Sequence, residues 1–152
     1  MPSPSNRSLA RPPAAAAPPA PARMRWREDL ATVALAAWLL GGLFVDGWAH
    51  NTRPQLETFF TPWHAAFYSG FAATAAWLGW SVWRRRPAAG SWRAAVPAGY
   101  GLGLAGVAAF LASGVGDLAW HLAFGIERDI SALLSPTHLG LFAGALLVVT
   151  SR

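Results

Sequence analysis

An aspartate four residues ahead of a histidine, followed by a second histidine two residues after a proline, occurs twice in this chain. The first copy is Asp46, His50 and His64, reading D-G-W-A-H, a connection, then F-T-P-W-H. The second is Asp117, His121 and His138, reading D-L-A-W-H, a connection, then L-S-P-T-H. These four are all the histidines of the chain. Residues four apart on a helix share a face, which sets Asp46 beside His50 and Asp117 beside His121. His64 and His138 fall in the first turn of a returning helix, so a tight hairpin brings each copy together at one end. Two imidazoles and a carboxylate suit zinc, copper(II), manganese or iron(II) and leave open positions for water, oxygen or substrate. Glu57 and Glu127 lie in the two connections and are candidate additional ligands. Spacing alone is compatible with two sites or with one shared between the halves.

The composition says what kind of scaffold carries these residues. Only 12% of the residues are charged and 54% are hydrophobic, against ~25% charged in soluble domains, so this is a membrane composition. There is no cysteine, which excludes disulfides and thiolate metal sites. The two methionines, Met1 and Met24, are N-terminal, which argues against a thioether copper(I) site. The net charge of +5 comes from arginine without lysine. Those arginines flank apolar runs, which fits control of membrane topology rather than nucleic acid binding.

Four helices must position the motifs. Residues 1–27 form a Pro/Ala-rich cytoplasmic tail, expected to be disordered and without the pattern of a signal peptide. Residues 28–83 are the first transmembrane hairpin: Leu30 to His50, a polar turn with Pro54, then a helix opened by Thr61-Pro62 and closed at Trp83. Residues 84–95 are a cytoplasmic loop carrying Arg84, Arg85, Arg86 and Arg93. Residues 96–152 are the second hairpin: a Gly/Ala-rich span from Val96 to His121, a connection, then a helix opened by Ser135-Pro136. Its last span, Pro136 to Ser151, has sixteen residues, short for a crossing; either Leu133 and Leu134 extend it or the chain is a piece of something longer, and the second is the expectation. The expected fold is all-α: four transmembrane helices arranged as two parallel, repeated hairpins.

Ten arginines fall on the side of the N-terminus, and only Arg53 and Arg128 on the other. The positive-inside rule then puts both termini in the cytoplasm of a bacterium, with the chain in the plasma (inner) membrane and the Asp-His clusters at the extracytoplasmic face. Trp48, Trp63 and Trp120 would lie at the outer interface, and Trp26, Trp80, Trp83 and Trp92 at the inner one.

Simpler readings exist for the same residues. Asp46 and His50 could pair only with each other at a helix end, and Pro62 and Pro136 could serve only to start helices. The chain would then be a structural membrane subunit without a ligand. Haem with histidine axial ligands is another reading, but it has no use for the aspartates. A proton relay or transporter would use Asp46 and Asp117 as titrating groups. Duplication of the whole pattern favours the metal. Phe59, Phe60, Phe67 and Tyr68 are most simply interface and packing residues.

The first copy resembles a metal-binding stretch in the C subunit of the particulate methane and ammonia monooxygenases. That stretch has the form D-x-x-W-H, a loop, then F-T-P-S-H followed by F-Y. Asp46, His50, Phe60, Thr61, Pro62, His64, Phe67 and Tyr68 match it in order. The second copy keeps Asp117, Trp120, His121, Pro136 and His138. In that family the Asp-His-His set binds copper in the membrane near its outer side. The resemblance implies Asp46, His50 and His64 as ligands, with Asp117, His121 and His138 as a second set. It makes copper the first expectation, ahead of zinc or iron. It covers two short windows and implies a metal site, not methane or ammonia oxidation. Enzymatic activity does not follow from these residues; the class suggested, if there is one, is oxygen-dependent oxidation at the metal. The expected partners are the lipid bilayer and further copies or other membrane subunits, with no nucleic acid.

Overall fold

A computed structural model describes residues 22–53, 59–125 and 134–151. These residues are helical apart from short connections, with no strand among the described residues. The order is α1 (Trp26–Thr52), α2 (Pro62–Ala89), the single turn α3 (Trp92–Ala95), α4 (Gly101–Phe124) and α5 (Pro136–Thr150). α1 packs along α2 and α4 along α5, and the ring is closed by contacts of α2 with α4 and of α1 with α5.

Glycines set the close approach within each pair. A Cβ on Gly70 would stand 2.8 Å from the Leu39 backbone, and one on Gly144 would stand 2.7 Å from the Phe110 nitrogen. Leu39 and Phe110 each lie seven residues before the aspartate of their motif, and Gly70 and Gly144 each six after its second histidine. The two helix pairs thus meet in the same register. Between the pairs, Phe71 stacks on Phe110 at 4.1 Å and Phe67 meets Phe110 edge-on at 5.2 Å. Leu39, Leu141, Ala145 and Val148 complete this core.

Helix starts follow the expected capping chemistry. Thr61 and Ser135 accept from the backbone N–H groups of His64 and His138, at 3.1 and 3.3 Å. At the other end of the bundle, Glu28 accepts from the Arg25 backbone N–H at 2.8 Å and pairs with Arg84 and Arg85 of α2.

Two boundaries differ from the sequence expectation. α2 does not stop at Trp83 but continues through Pro87 to Ala89. Arg85 donates to the Ser81 carbonyl at 2.7 Å and pairs with Glu28, so the arginine run is held inside the helix. α4 begins at Gly101 rather than Val96. Pro97 disfavours helical backbone at Val96, and Gly99 at φ 86° turns the chain before the helix opens. Tyr100 donates to Asp29 at 2.6 Å and ties this turn to α1.

Two of the four long elements, α1 and α4, are long and apolar enough to cross a membrane. α5, with 15 residues, is apolar but shorter. The outward faces are apolar, with Phe44 exposed by 75%, Val115 by 65% and Leu122 by 77%. Tryptophans collect at helix ends beside arginines. Arg53 lies over both Trp48 and Trp63, Arg84 over Trp80, and Arg86 over Trp92.

Candidate metal centre

The C-terminal ends of α1 and α4 meet the N-terminal ends of α2 and α5, and all six expected ligands lie there. Asp46, His50, His64, Asp117 and His121 are buried. Glu57 and Glu127 lie outside the described residues.

The first copy converges as its spacing predicts. His50 Nε2 lies 3.8 Å from Asp46 Oδ2, and His64 Nε2 lies 3.7 Å from Asp46 Oδ1. In the second copy, His121 Nε2 and His138 Nδ1 lie 3.5 and 3.4 Å from Asp117 Oδ1. The copies are not separate. Ring centroids within a pair are 5.3 Å apart for His50 and His64 and 5.6 Å for His121 and His138. Between the pairs they are hardly farther: 6.2 Å for His64 and His121, 6.2 Å for His50 and His138, and 6.4 Å for His50 and His121. Among the described residues, two triads can each bring one donor atom per residue within 4.8 Å of one another: Asp46, His50 and His64, and also His64, Asp117 and His121. His64 belongs to both, so α2 offers a donor atom to the second hairpin as well as to its own.

The threonine or serine before each proline explains the T-P-x-H and S-P-x-H spacing. Thr61 Oγ1 caps the His64 N–H and also lies 3.1 Å from His64 Nδ1. Ser135 Oγ does the same for His138, with Nδ1 at 2.7 Å. One hydroxyl starts the helix and orients the imidazole in its first turn. His121 is held differently. Its Nδ1 lies 3.2 Å from the Gly125 carbonyl, which can only accept, so Nδ1 carries the proton. Gly125 takes the left-handed φ of 80° that brings this carbonyl back over the last turn of α4.

Proton placement at His121 has an electrostatic consequence. With the proton of a neutral ring on Nδ1, the Nε2 lone pair faces Asp117 Oδ1 across 3.5 Å. Asp46 Oδ1, His64 Nε2 and His121 Nε2 are all buried without a hydrogen-bond partner. An acceptor pair such as His121 Nε2 and Asp117 Oδ1, buried face to face, is costly, and a cation between them removes the cost. The helix ends divide in support: the carboxylates face the positive ends of α2 and α5, while His50 and His121 lie at the negative ends of α1 and α4, where positive charge is favoured.

Tyr68, read above as a packing residue, joins the site, together with Thr137. Tyr68 donates to Asp117 Oδ2 at 3.3 Å and Thr137 to Asp117 Oδ1 at 3.1 Å. Tyr68 is 49 residues away in sequence, so no local spacing identifies it. Thr137 lies between the proline and histidine of its own motif; Trp63 holds that place in the first copy. Asp117 therefore has two hydroxyl donors fixing its orientation. Phe59 stacks on His64 at 4.8 Å and also touches Tyr68 and His121. A cavity of about 610 Å³ reaches the cluster, lined by Asp46, His50, His64, Asp117 and His138 and by apolar residues of α1, α2 and α5.

Compared with protein-family models, curated proteins and solved structures, the chain matches none of them. The chemistry of the site therefore stands on its own residues: buried Asp and His groups, in a helical bundle with two membrane-length apolar helices, placed so that they could hold a metal ion.

Proposed function

We propose that this chain is a four-span bundle of two repeated hairpins in a bacterial plasma membrane, and that it holds a transition metal ion at the junction of the hairpins near the extracytoplasmic face. The observation that carries this reading is the His121 geometry. Its Nδ1 donates to the Gly125 carbonyl, which aims a bare Nε2 at Asp117 Oδ1. A metal ion satisfies both atoms, together with the unpartnered His64 Nε2 of the neighbouring triad. The rival is a proton that makes His121 an imidazolium paired with Asp117.

Copper is the first choice, with zinc and iron next. Imidazole and carboxylate donors accept all three, and the first copy's likeness to a copper-binding stretch favours copper. Because His64 is common to both triads and its Nδ1 is engaged by Thr61, one ion per chain is expected. The shared register of Gly70 on Leu39 and Gly144 on Phe110 supports the internal repeat. The apolar outward faces and the arginine–tryptophan pairs at helix ends support the membrane placement.

Elemental analysis of detergent-purified protein tests the reading, with His121→Ala and Asp46→Ala beside the wild type. Near-stoichiometric metal that drops in both variants supports it. Metal-free protein after reconstitution with copper, zinc and iron in turn would overturn it and leave the imidazolium pair. A Soret band in the visible spectrum would instead identify haem.

A further inference from the structure

The cavity beside the cluster is polar at one end and apolar along the rest. On α1 it is lined by His50, Asn51 and Asp46, then by Leu43 and Phe44 one turn deeper. On α5 it passes from His138 to Leu139, Leu141 and Phe142, and on α2 from His64 to Phe67. The mouth lies on the α1–α5 side of the bundle, flanked by Phe44, Trp48, Leu139 and Phe142. All four are about half exposed or more. In the four-span reading Phe44, Leu139 and Phe142 turn this opening toward lipid, and exposed Asn51 marks its edge nearest the aqueous end of the bundle. Two polar atoms at the closed end, Asp46 Oδ1 and His64 Nε2, are buried without hydrogen-bond partners. Their residues are 6% and 4% exposed.

We propose that this cavity binds a single-chain, lipid-soluble alcohol that enters from the bilayer between α1 and α5. The proposal rests on the membrane reading above and supplies a ligand class for the same site. A hydroxyl is the small group that serves both partners: its O–H donates to Asp46 Oδ1, and its oxygen accepts from His64 Nε2–H or lies on a metal ion held there. The chain runs along Leu43, Phe44, Phe67 and Phe142. At ~30 Å³ per non-hydrogen atom, the liquid volume of one water, about 610 Å³ holds on the order of twenty such atoms. A chain of about ten carbons fits with room to spare.

Gly47 provides the blocking variant. It lines the cavity, and a Cβ built on it meets nothing within 4 Å. Gly47→Leu therefore adds a side chain at the mouth from an unobstructed Cβ position and replaces a helical glycine with a better helix former. Leu139→Trp narrows the mouth from the α5 side.

The experiment is photolabelling of the full chain in detergent or vesicles with a diazirine-bearing decanol, mapped by peptide mass spectrometry. It is run on metal-free and on metal-loaded protein. The expected labels fall on residues 43–48 and 139–142. Excess 1-decanol reduces them at least tenfold, decane much less, and both mouth variants lose them while unfolding at or above the wild-type temperature. Labels spread equally over the outer face of α4, at Leu111 and Val115, and unchanged by Gly47→Leu and Leu139→Trp, would overturn the proposal. So would equal competition by decane, which removes the role of the hydroxyl. Loss of site labelling in protein that still binds metal refutes this ligand and spares the metal centre. Specific labelling in protein that never takes up metal does the reverse.

Discussion

The most informative perturbation of the metal reading leaves every proposed ligand in place. Tyr68→Phe and Thr137→Val remove the two hydroxyls that donate to Asp117 and change little else in size. The distances are 3.3 and 3.1 Å, longer than the 2.7–2.8 Å mode for such bonds. Each bond therefore belongs at the weak end of the ~1.5–3 kcal/mol range for hydrogen bonds to a charged group. About 1.5 kcal/mol is roughly tenfold in a binding constant, so each single variant should weaken metal binding about tenfold and the double variant up to ~100-fold. That span agrees with the ~10–100-fold usually lost when a partner that orients a metal ligand is removed. The assay is competition for the ion between purified protein and a chelator of known affinity, with tryptophan emission monitoring the fold. Asp117→Ala sets the scale of a lost ligand. If the double variant keeps wild-type affinity while Asp117→Ala loses it, Tyr68 and Thr137 do not position the carboxylate. If Asp117→Ala binds as wild type does, Asp117 is no ligand.

Three further outcomes are expected. Gly144→Ala places a methyl 2.7 Å from the Phe110 nitrogen, so α4 and α5 must separate; thermal unfolding in detergent should show a loss of ~1–3 kcal/mol, and Gly70→Ala against Leu39 should behave alike. Thr61→Ala removes a helix cap and the Nδ1 partner of His64 together; stability should fall by ~1 kcal/mol and metal affinity with it, whereas Thr61→Ser restores both. Glu28→Gln weakens the contact with Arg84 and Arg85 at the opposite end of the bundle. Because Arg84 is 34% exposed, the expected cost is only ~1–2 kcal/mol, with metal content unchanged in elemental analysis.

Much of this molecule is local and was legible before folding. The helical class, the hairpin order and the helix starts follow from apolar runs punctuated by Thr61-Pro62 and Ser135-Pro136. Pairing of Asp46 with His50 and of Asp117 with His121 follows from helical geometry alone. So does the approach of His64 to Asp46, once the connection is short enough to make a hairpin. The end of α2 lies where a contact distant in sequence outweighs a local signal. Arg85 looked like a stop, but Glu28 of another helix holds it within α2. The delayed start of α4, by contrast, was local: Pro97 and Gly99 marked it.

Local sequence thus accounts for each half of the site: two carboxylate–imidazole pairs, and two histidines in the first turns of helices opened by Thr61-Pro62 and Ser135-Pro136. That the halves form one cluster follows from packing between the hairpins. That outcome depends on Phe67 and Phe71 packing on Phe110 across the hairpins, a contact no repeat within one hairpin encodes. The same packing carries Tyr68 to Asp117 and His64 to His121. The α1–α5 side remains open as a cavity. Spacing along a helix fixes neighbours to within one turn. The meeting of two helix pairs depends on the shapes of the side chains between them, and in this chain those are mainly a few aromatic rings.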